Sequence, residues 1–235
     1  MFGSYDIPFN IEHEGISLSV EKEDNLYTYK RKAFYGTEEK TLLFDTGKVL
    51  LNPIEPLNRP KEITSFLLVE FDKSIVIGPG TSKIIYIKFP IEIGVFISNN
   101  KNFEILDVLT LVNQKFTLYG DPASGVICKY WNSSVYSKIP ETNPIMEGVM
   151  EVKIENTTTR WVEVSKAVFN AYDMRIYYSH SLVSMKAKMK ILGDQMAETV
   201  FSNAPLKAGM TKSIELYNAR KVSVLGPKFL MGEGL

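Results

Sequence analysis

The sequence predicts an all-β protein with little helix, built as two packed, antiparallel, β-sandwich-like halves. Three observations predict this class: apolar residues recur at every second position, turn-forming residues separate the segments, and the composition is typical of a globular chain. Of the 235 residues, 45% are hydrophobic and 23% are charged. This composition supplies enough apolar surface for a packed core and excludes a disordered chain.

The clearest alternation runs through residues 184–191. Successive side chains of a strand point to opposite faces, so this pattern predicts a strand with one buried face and one wet face. Residues 150–154 and 162–164 alternate in the same way, whereas a helix would spread their apolar groups around its circumference. In the first segment the predicted buried face holds Met185, Ala187, Met189 and Ile191, and the wet face holds Ser184, Lys186, Lys188 and Lys190.

Three further runs are apolar on both faces, which is typical of central strands that are covered on both sides. Glycine, proline and asparagine clusters separate the predicted strands, and their spacing favours a meander or a Greek-key sheet. The runs are residues 65–71, 83–89 and 91–97, and the turns are residues 78–81, 99–102 and 120–122.

Two segments leave alternatives open. Residues 194–202 form either a short helix, with Asp194 as N-cap and Glu198 in its first turns, or a strand through residues 198–201. Residues 226–235 hold a short apolar cluster between glycines. This cluster favours a final edge strand, and a free tail that adds a strand to a partner is the alternative.

A domain boundary is predicted within residues 139–146, which contain two prolines and no apolar face. We therefore expect an N-terminal β-sandwich-like domain over residues 1–143 and a second domain over residues 144–235. The second is long enough for one immunoglobulin-like sandwich of about seven strands. It lacks the cysteine pair of antibody domains, so only the architecture is predicted.

The charge balance, the length of the apolar runs and the first residues argue against nucleic-acid binding, membrane insertion and secretion. Lys and Arg total 27, as do Asp and Glu, so the formal net charge is +0 and no overall field attracts nucleic acid. No apolar run approaches the roughly 20 residues of a membrane-spanning helix. The first residues resemble no secretory signal, and the single Cys128 fits a reducing compartment. A cytoplasmic protein that does not span a membrane is expected.

No residue pattern matches a known reaction chemistry. His13 and His180 are far apart, and Glu12-His13-Glu14 is more typical of a solvated turn than of a metal site. Ser124 does not lie in a nucleophile elbow, and the alternation around Cys128 predicts a buried, inert thiol. Residues 78–83 lack the spacing of a phosphate-binding loop. The sequence therefore predicts no catalytic residue, no metal ligand and no cofactor.

The lysines at positions 186, 188 and 190 form a basic ladder on one strand face. One interpretation is a patch that binds phosphate, RNA or an acidic partner. The favoured interpretation is a solvent-facing surface whose lysines also protect an edge strand from pairing with another molecule.

Tyr130 and Trp131 are the candidate residues for binding a ligand or a partner. The two aromatic residues end a predicted strand and precede the predicted linker, where they could face a cleft between the two halves. Ordinary packing of aromatic residues on a half-buried strand is the alternative interpretation.

Three phrases together resemble a known family. They are GTSKIIYIKFPIEIGV at 80–95, YGDPASGVICKYW at 119–131, and GVMEVKIEN at 148–156 followed by WVEV at 161–164. The chain resembles the archaeal domain-of-unknown-function family numbered 432 over nearly its whole length. The resemblance implies an archaeal source and an unassigned activity. It also implies an association with genes for small-conductance mechanosensitive channels, and hence an accessory or regulatory role beside such a channel.

The leading hypothesis is a non-enzymatic, cytoplasmic interaction module with a protein partner. It follows from the lack of any cofactor motif, metal cluster or nucleophile, since fold class alone does not imply a function. The first alternative is a β-sandwich that binds a small ligand or a carbohydrate at Tyr130 and Trp131. The second is a hydrolase that uses paired carboxylates, whose separation in space decides that chemistry.

Overall fold

The computed structural model describes residues 1–24, 26–43, 47–59, 63–99, 102–216 and 228–235. Within these residues the chain forms β-strands and a single 3-10 turn, Ala171–Asp173. The strands are β1 (Gly3–Asp6), β2 (Phe9–His13), β3 (Ile16–Glu23), β4 (Leu26–Ala33), β5 (Gly36–Leu42), β6 (Lys48–Ile54), β7 (Phe66–Ile77), β8 (Ser82–Pro90), β9 (Glu92–Asn99), β10 (Asn102–Leu109), β11 (Phe116–Tyr119), β12 (Val126–Ser133), β13 (Glu147–Asn156), β14 (Val162–Asn170), β15 (Tyr177–Tyr178), β16 (Val183–Gly193), β17 (Met196–Ser202), β18 (Thr211–Lys212) and β19 (Lys228–Met231).

The predicted all-β class is confirmed, and so is the period-two pattern that predicted it. In β16 the four apolar residues of the predicted buried face are buried, and Lys188 and Lys190 of the predicted wet face are exposed, whereas Ser184, also predicted on the wet face, is buried. In β13 the apolar residues are buried, and Lys153 and Glu155, which alternate with them, are exposed. The three runs that are apolar on both faces lie in β7, β8 and β9.

Residues 194–202, for which the sequence left two alternatives, form a strand and not a helix. β17 pairs in antiparallel fashion with β16 on one side and with β19 on the other. The backbone groups that a helix would satisfy internally are therefore satisfied by two neighbouring strands.

Of the predicted turns, residues 78–81 connect β7 to β8, whereas residues 100 and 101 lie outside the described residues.

The chain divides into two compact units. The first comprises Met1–Asn52 and Gly94–Val108, and the second comprises Pro53–Ile93 and Leu109–Leu235. The divisions between the units fall within β6, β9 and β10. The boundary predicted at residues 143 and 144 falls inside the second unit, where it stays a prediction, as does the immunoglobulin-like character of residues 144–235.

The first unit contains two four-stranded sheets, in the orders β1-β6-β9-β10 and β2-β3-β4-β5. A buried ion pair joins them: Nε of Arg31 lies 2.6 Å from Oδ2 of Asp107, and both side chains are almost fully enclosed. The hydroxyl of the buried Tyr29 donates to the same carboxylate oxygen at 3.0 Å. The backbone N–H of Val108 donates to the other oxygen at 2.8 Å. The buried carboxylate thus has a partner on each oxygen, as an enclosed charge requires.

The second unit contains a four-stranded sheet, β11-β12-β7-β14, and a seven-stranded sheet. The seven-stranded sheet runs β18-β15-β16-β13-β8, and β17 and β19 continue from β16. Most pairs are antiparallel, but β13 with β16 and β12 with β7 are parallel. The central strands therefore pair with segments that are distant in sequence.

The two sheets of the second unit pack against each other as in a β-sandwich. The rings of Phe169 on β14 and Phe201 on β17 stack with centroids 5.3 Å apart. The hydroxyl of Thr199 on β17 donates to the carbonyl of Val168 on β14 at 2.6 Å. The core of this unit therefore lies between the sheets.

The predicted C-terminal strand is confirmed for the part of residues 226–235 that the structure describes. β19 pairs with β17, and Met231 is fully buried. The residues that follow are held by the four-stranded sheet, because Tyr119 donates its hydroxyl to the carbonyl of Gly234 and Ser165 donates to that of Leu235. Residues 228–235 are therefore part of the sandwich and not a free tail.

A second buried ion pair, Glu92–Lys129, lies in the second unit. Nζ of Lys129 is 2.8 Å from Oε1 of Glu92, and the two side chains are 3% and 0% exposed. The backbone N–H groups of Asn58 and Arg59 donate to the same carboxylate at 2.9 and 3.2 Å. Burial lowers the pKa of Lys129, and Glu92 opposes that shift. The pair ties β9 and β12 to the turn that follows β6.

We expect Glu92→Ala to lower the free energy of unfolding by about 3–5 kcal/mol, because it leaves the Lys129 ammonium buried without its counter-ion. Urea denaturation measures this change. The double variant Glu92→Leu/Lys129→Met should recover most of the loss, since no buried charge remains.

Asp194→Ala is the matched control, because it breaks an ion pair with Arg160 that is 3.1 Å long and exposed on both sides. Exposed ion pairs contribute little to stability. A Glu92→Ala variant as stable as this control would contradict the structural role of the buried pair.

Candidate functional site

Tyr130 and Trp131 are neighbours on β12, where Tyr130 lies opposite Leu68 of β7 and Trp131 lies opposite Val69. Because successive residues of a strand point to opposite faces, the two rings lie on opposite sides of the sheet. Trp131 is half-buried, and its indole nitrogen is enclosed without a hydrogen-bond partner among the described residues. The two aromatic side chains therefore do not form one continuous platform, and their role in binding stays a prediction.

Tyr130 belongs to a polar surface that also holds two carboxylates of β7. Its hydroxyl donates to Oε2 of Glu70 at 2.5 Å, and this bond, together with burial, raises the pKa of Tyr130. The hydroxyl of Ser134 donates to the carboxylate of Asp72. Glu70 and Asp72 are two positions apart on one face, so they are separated by roughly 7 Å along the strand. Glycosidase carboxyl groups face each other across the scissile bond, whereas these two side chains follow one another along a single strand, and the hydrolase hypothesis stays a prediction.

Strand β11, which the sequence did not single out, carries the most distinctive apolar surface of the four-stranded sheet. Leu118 lies directly opposite Ile127 of β12, and Phe116 projects from the same face. Phe116, Leu118 and Ile127 are 37%, 42% and 51% exposed. Among the described strands, β11 pairs with β12 alone. It therefore presents, beside three exposed apolar side chains, a backbone edge with which no other described strand pairs.

A sequence signal for this surface exists but is incomplete. The segment Phe116-Thr117-Leu118-Tyr119 has the apolar and β-branched composition of a strand. Nothing in that pattern shows which strand lies at the edge of a sheet, because edge position depends on pairing with distant segments.

The basic ladder lies on the exposed face of the seven-stranded sheet. The interpretation that its lysines protect an edge strand is wrong, because β16 lies between β13 and β17. Lys186 is paired with Glu151 at 3.2 Å. The ladder therefore lies on a central strand of the sheet, on the face that is exposed to solvent.

The nucleophile and metal candidates lie in ordinary structural environments. Cys128 is fully buried, and burial raises the pKa of its thiol to about 12, as expected for an inert side chain. His13 and His180 are both exposed, and Nε2 of His13 lies 3.9 Å from its neighbour Glu14. Within the described residues, no three His, Cys, Asp or Glu side chains are grouped as they would be to hold a metal ion.

The fold and these surfaces define an all-β protein whose packed sheets expose an apolar strand edge and a basic sheet face. The chain belongs to the family described as "Protein of unknown function (DUF432)", whose model matches residues 1–232. No curated protein and no solved structure matches the chain significantly. No helix in the described part of the chain is long and apolar enough to cross a membrane.

We expect the native protein to react very slowly with Ellman's reagent at pH 7–8, because the Cys128 thiol is both enclosed and protonated. In urea the same thiol should react completely. Cys128 is the single cysteine of the chain, so the absorbance reports on it alone. Equal rates in the two conditions would show that the thiol is accessible.

Proposed function

We propose that this protein is a non-enzymatic interaction module that binds another protein at β11. The observation that supports the proposal is the edge of this strand, which pairs with no further strand in the described part of the chain, beside the exposed side chains of Phe116, Leu118 and Ile127. An unpaired strand edge presents a row of N–H and C=O groups to which an extended segment can add.

The chemistry of this surface favours an extended partner segment with apolar side chains at alternate positions. Main-chain hydrogen bonds to the edge would supply affinity, and the apolar side chains would select the partner. Covering the exposed part of each of the three side chains contributes roughly 1 kcal/mol, because burying such a side chain completely contributes about 1.5–3 kcal/mol. Such a surface is suited to a reversible complex, since association itself carries a large entropic cost.

We assign the partner to the subunits of a small-conductance mechanosensitive channel, with the module on the cytoplasmic side. This part of the proposal rests on the family resemblance alone. A crosslinking experiment is therefore expected to give an adduct with a channel subunit.

To test the proposal, a photo-crosslinking phenylalanine derivative replaces Leu118 in the full chain. Illumination in an extract of the source organism should give one discrete adduct, whose partner mass spectrometry identifies as a channel subunit. Ile127→Asp in the same chain should abolish the adduct, because a charge on the apolar surface is costly to bury.

Val76 is the matched control position, since it is an apolar residue of the same sheet and is 61% exposed. The derivative at Val76 should give no discrete adduct. Equal labelling from both positions, or no adduct from position 118, would contradict a docking role for β11. A discrete adduct with another protein would support the module and contradict the channel assignment.

A second candidate function is carbohydrate binding at the Tyr130 surface. It is favoured by the ring of Tyr130 beside Glu70, because aromatic faces and carboxylates together suit the apolar and hydroxyl-bearing parts of a sugar. On a glycan array, Tyr130→Ala should lose the signal that the wild-type chain gives, and Tyr130→Phe should retain part of it. No signal from the wild-type chain would remove this candidate.

A further inference from the structure

The exposed face of the seven-stranded sheet contains two lysines placed directly opposite each other. In the parallel pair of β13 and β16, Lys153 lies opposite Lys188. Like charges in directly opposed positions destabilise a sheet. A bound anion would relieve the repulsion within this pair.

The neighbouring positions of the same two strands show the opposite arrangement. Glu151 lies opposite Lys186, and Glu155 lies opposite Lys190. Lys186 and Glu151 form an ion pair of 3.2 Å. No ion pair is found for Lys153 or Lys188 within the described residues. The register thus places one pair of like charges between two pairs of opposite charge.

A third lysine, Lys228, lies in the same row across the sheet and is ion-paired with Glu198 at 2.8 Å. Lys188 lies opposite Val200 of β17, and Val200 lies opposite Lys228 of β19. Three lysines therefore follow one cross-strand row, with an apolar residue between the second and the third. Since neighbouring strands lie about 4.8 Å apart, the row is roughly 14 Å long at the backbone.

These side chains line a shallow concavity of about 260 Å³. Its charged lining residues are four lysines and two glutamates, which leave a net charge of two positive. The volume lies below the roughly 300–1,000 Å³ of pockets for drug-sized ligands, so a small ligand is favoured. The charged residues are Lys153, Glu155, Lys188, Lys190, Glu198 and Lys228.

We propose that this concavity binds a small, multiply charged phosphate anion, with Lys153 and Lys188 as its principal contacts. Two negative charges neutralise the net charge of the site, and the anion relieves the repulsion between the two ammonium groups. Lysine binds phosphate as a point charge through up to three N–H donors, so two neighbouring lysines suit phosphoryl oxygens. Free phosphate compounds and phosphomonoester lipid headgroups share this chemistry.

Isothermal titration of inorganic pyrophosphate into the full chain at constant ionic strength tests the proposal. We expect saturable binding with one anion per chain, and a loss of affinity of roughly tenfold or more for Lys153→Gln and for Lys188→Gln. Lys186→Gln is the matched control, because Lys186 lies on the same face of the same strand but is already paired with Glu151. Its affinity should stay within about twofold of the wild-type value.

Thermal unfolding supplies a second measurement that separates binding from folding. Without anion, Lys188→Gln should raise the unfolding midpoint, because it removes the repulsion from Lys153. With pyrophosphate, the wild-type midpoint should rise and that of Lys188→Gln should change much less. A Lys188→Gln variant that is less stable than the wild-type chain without anion would overturn the proposal.

Vesicles distinguish the two sources of the phosphate. Bilayers that contain phosphatidic acid present a phosphomonoester, whereas phosphatidylglycerol bilayers of the same charge density present a diester. Binding to phosphatidic acid that Lys188→Gln abolishes would assign the site to a lipid headgroup, and pyrophosphate binding alone would assign it to a free anion. No saturable binding of either probe, or an equal loss in Lys186→Gln, would overturn the proposal.

Discussion

The parallel register between β13 and β16 is the constraint on which most of the second unit depends. It places the apolar residues of both strands on the buried face of the sheet and sets which charges meet on the exposed face. A slip of one residue would turn Lys188 inward and Met189 outward. The same register therefore determines which apolar residues are buried and places Lys153 opposite Lys188. A change of register would alter both together.

Buried ion pairs supplement this sorting of apolar residues, and the described residues of each unit contain one. Asp107 in the first unit and Glu92 in the second are each held by a cation and by backbone N–H groups. Buried pairs of this kind are weak contributors to net stability, but a structure that lacks one partner is strongly disfavoured. Each pair therefore selects the one arrangement of strands that brings all its partners together.

Local patterns predicted strands well because alternation reports which face of a segment is buried. The same patterns could not determine neighbours: residues 194–202 became a strand because β16 and β19 supply hydrogen bonds on both sides. Tyr130 and Trp131 were predicted as one site, yet consecutive positions of a strand face opposite ways. The edge position of β11 and the opposition of Lys153 to Lys188 both arise from long-range pairing, which no local window contains.

The order of strand pairing also has a consequence for synthesis on the ribosome. β7 pairs with β12 and β14, and β8 pairs with β13, so every one of these neighbours is translated later. The apolar β7 and β8 thus leave the exit tunnel before their partners exist. Long-range pairing of this type slows folding and leaves apolar strands open to aggregation. The nascent chain is therefore expected to need chaperone protection until β14 has emerged, which ribosome-bound truncations of increasing length would reveal.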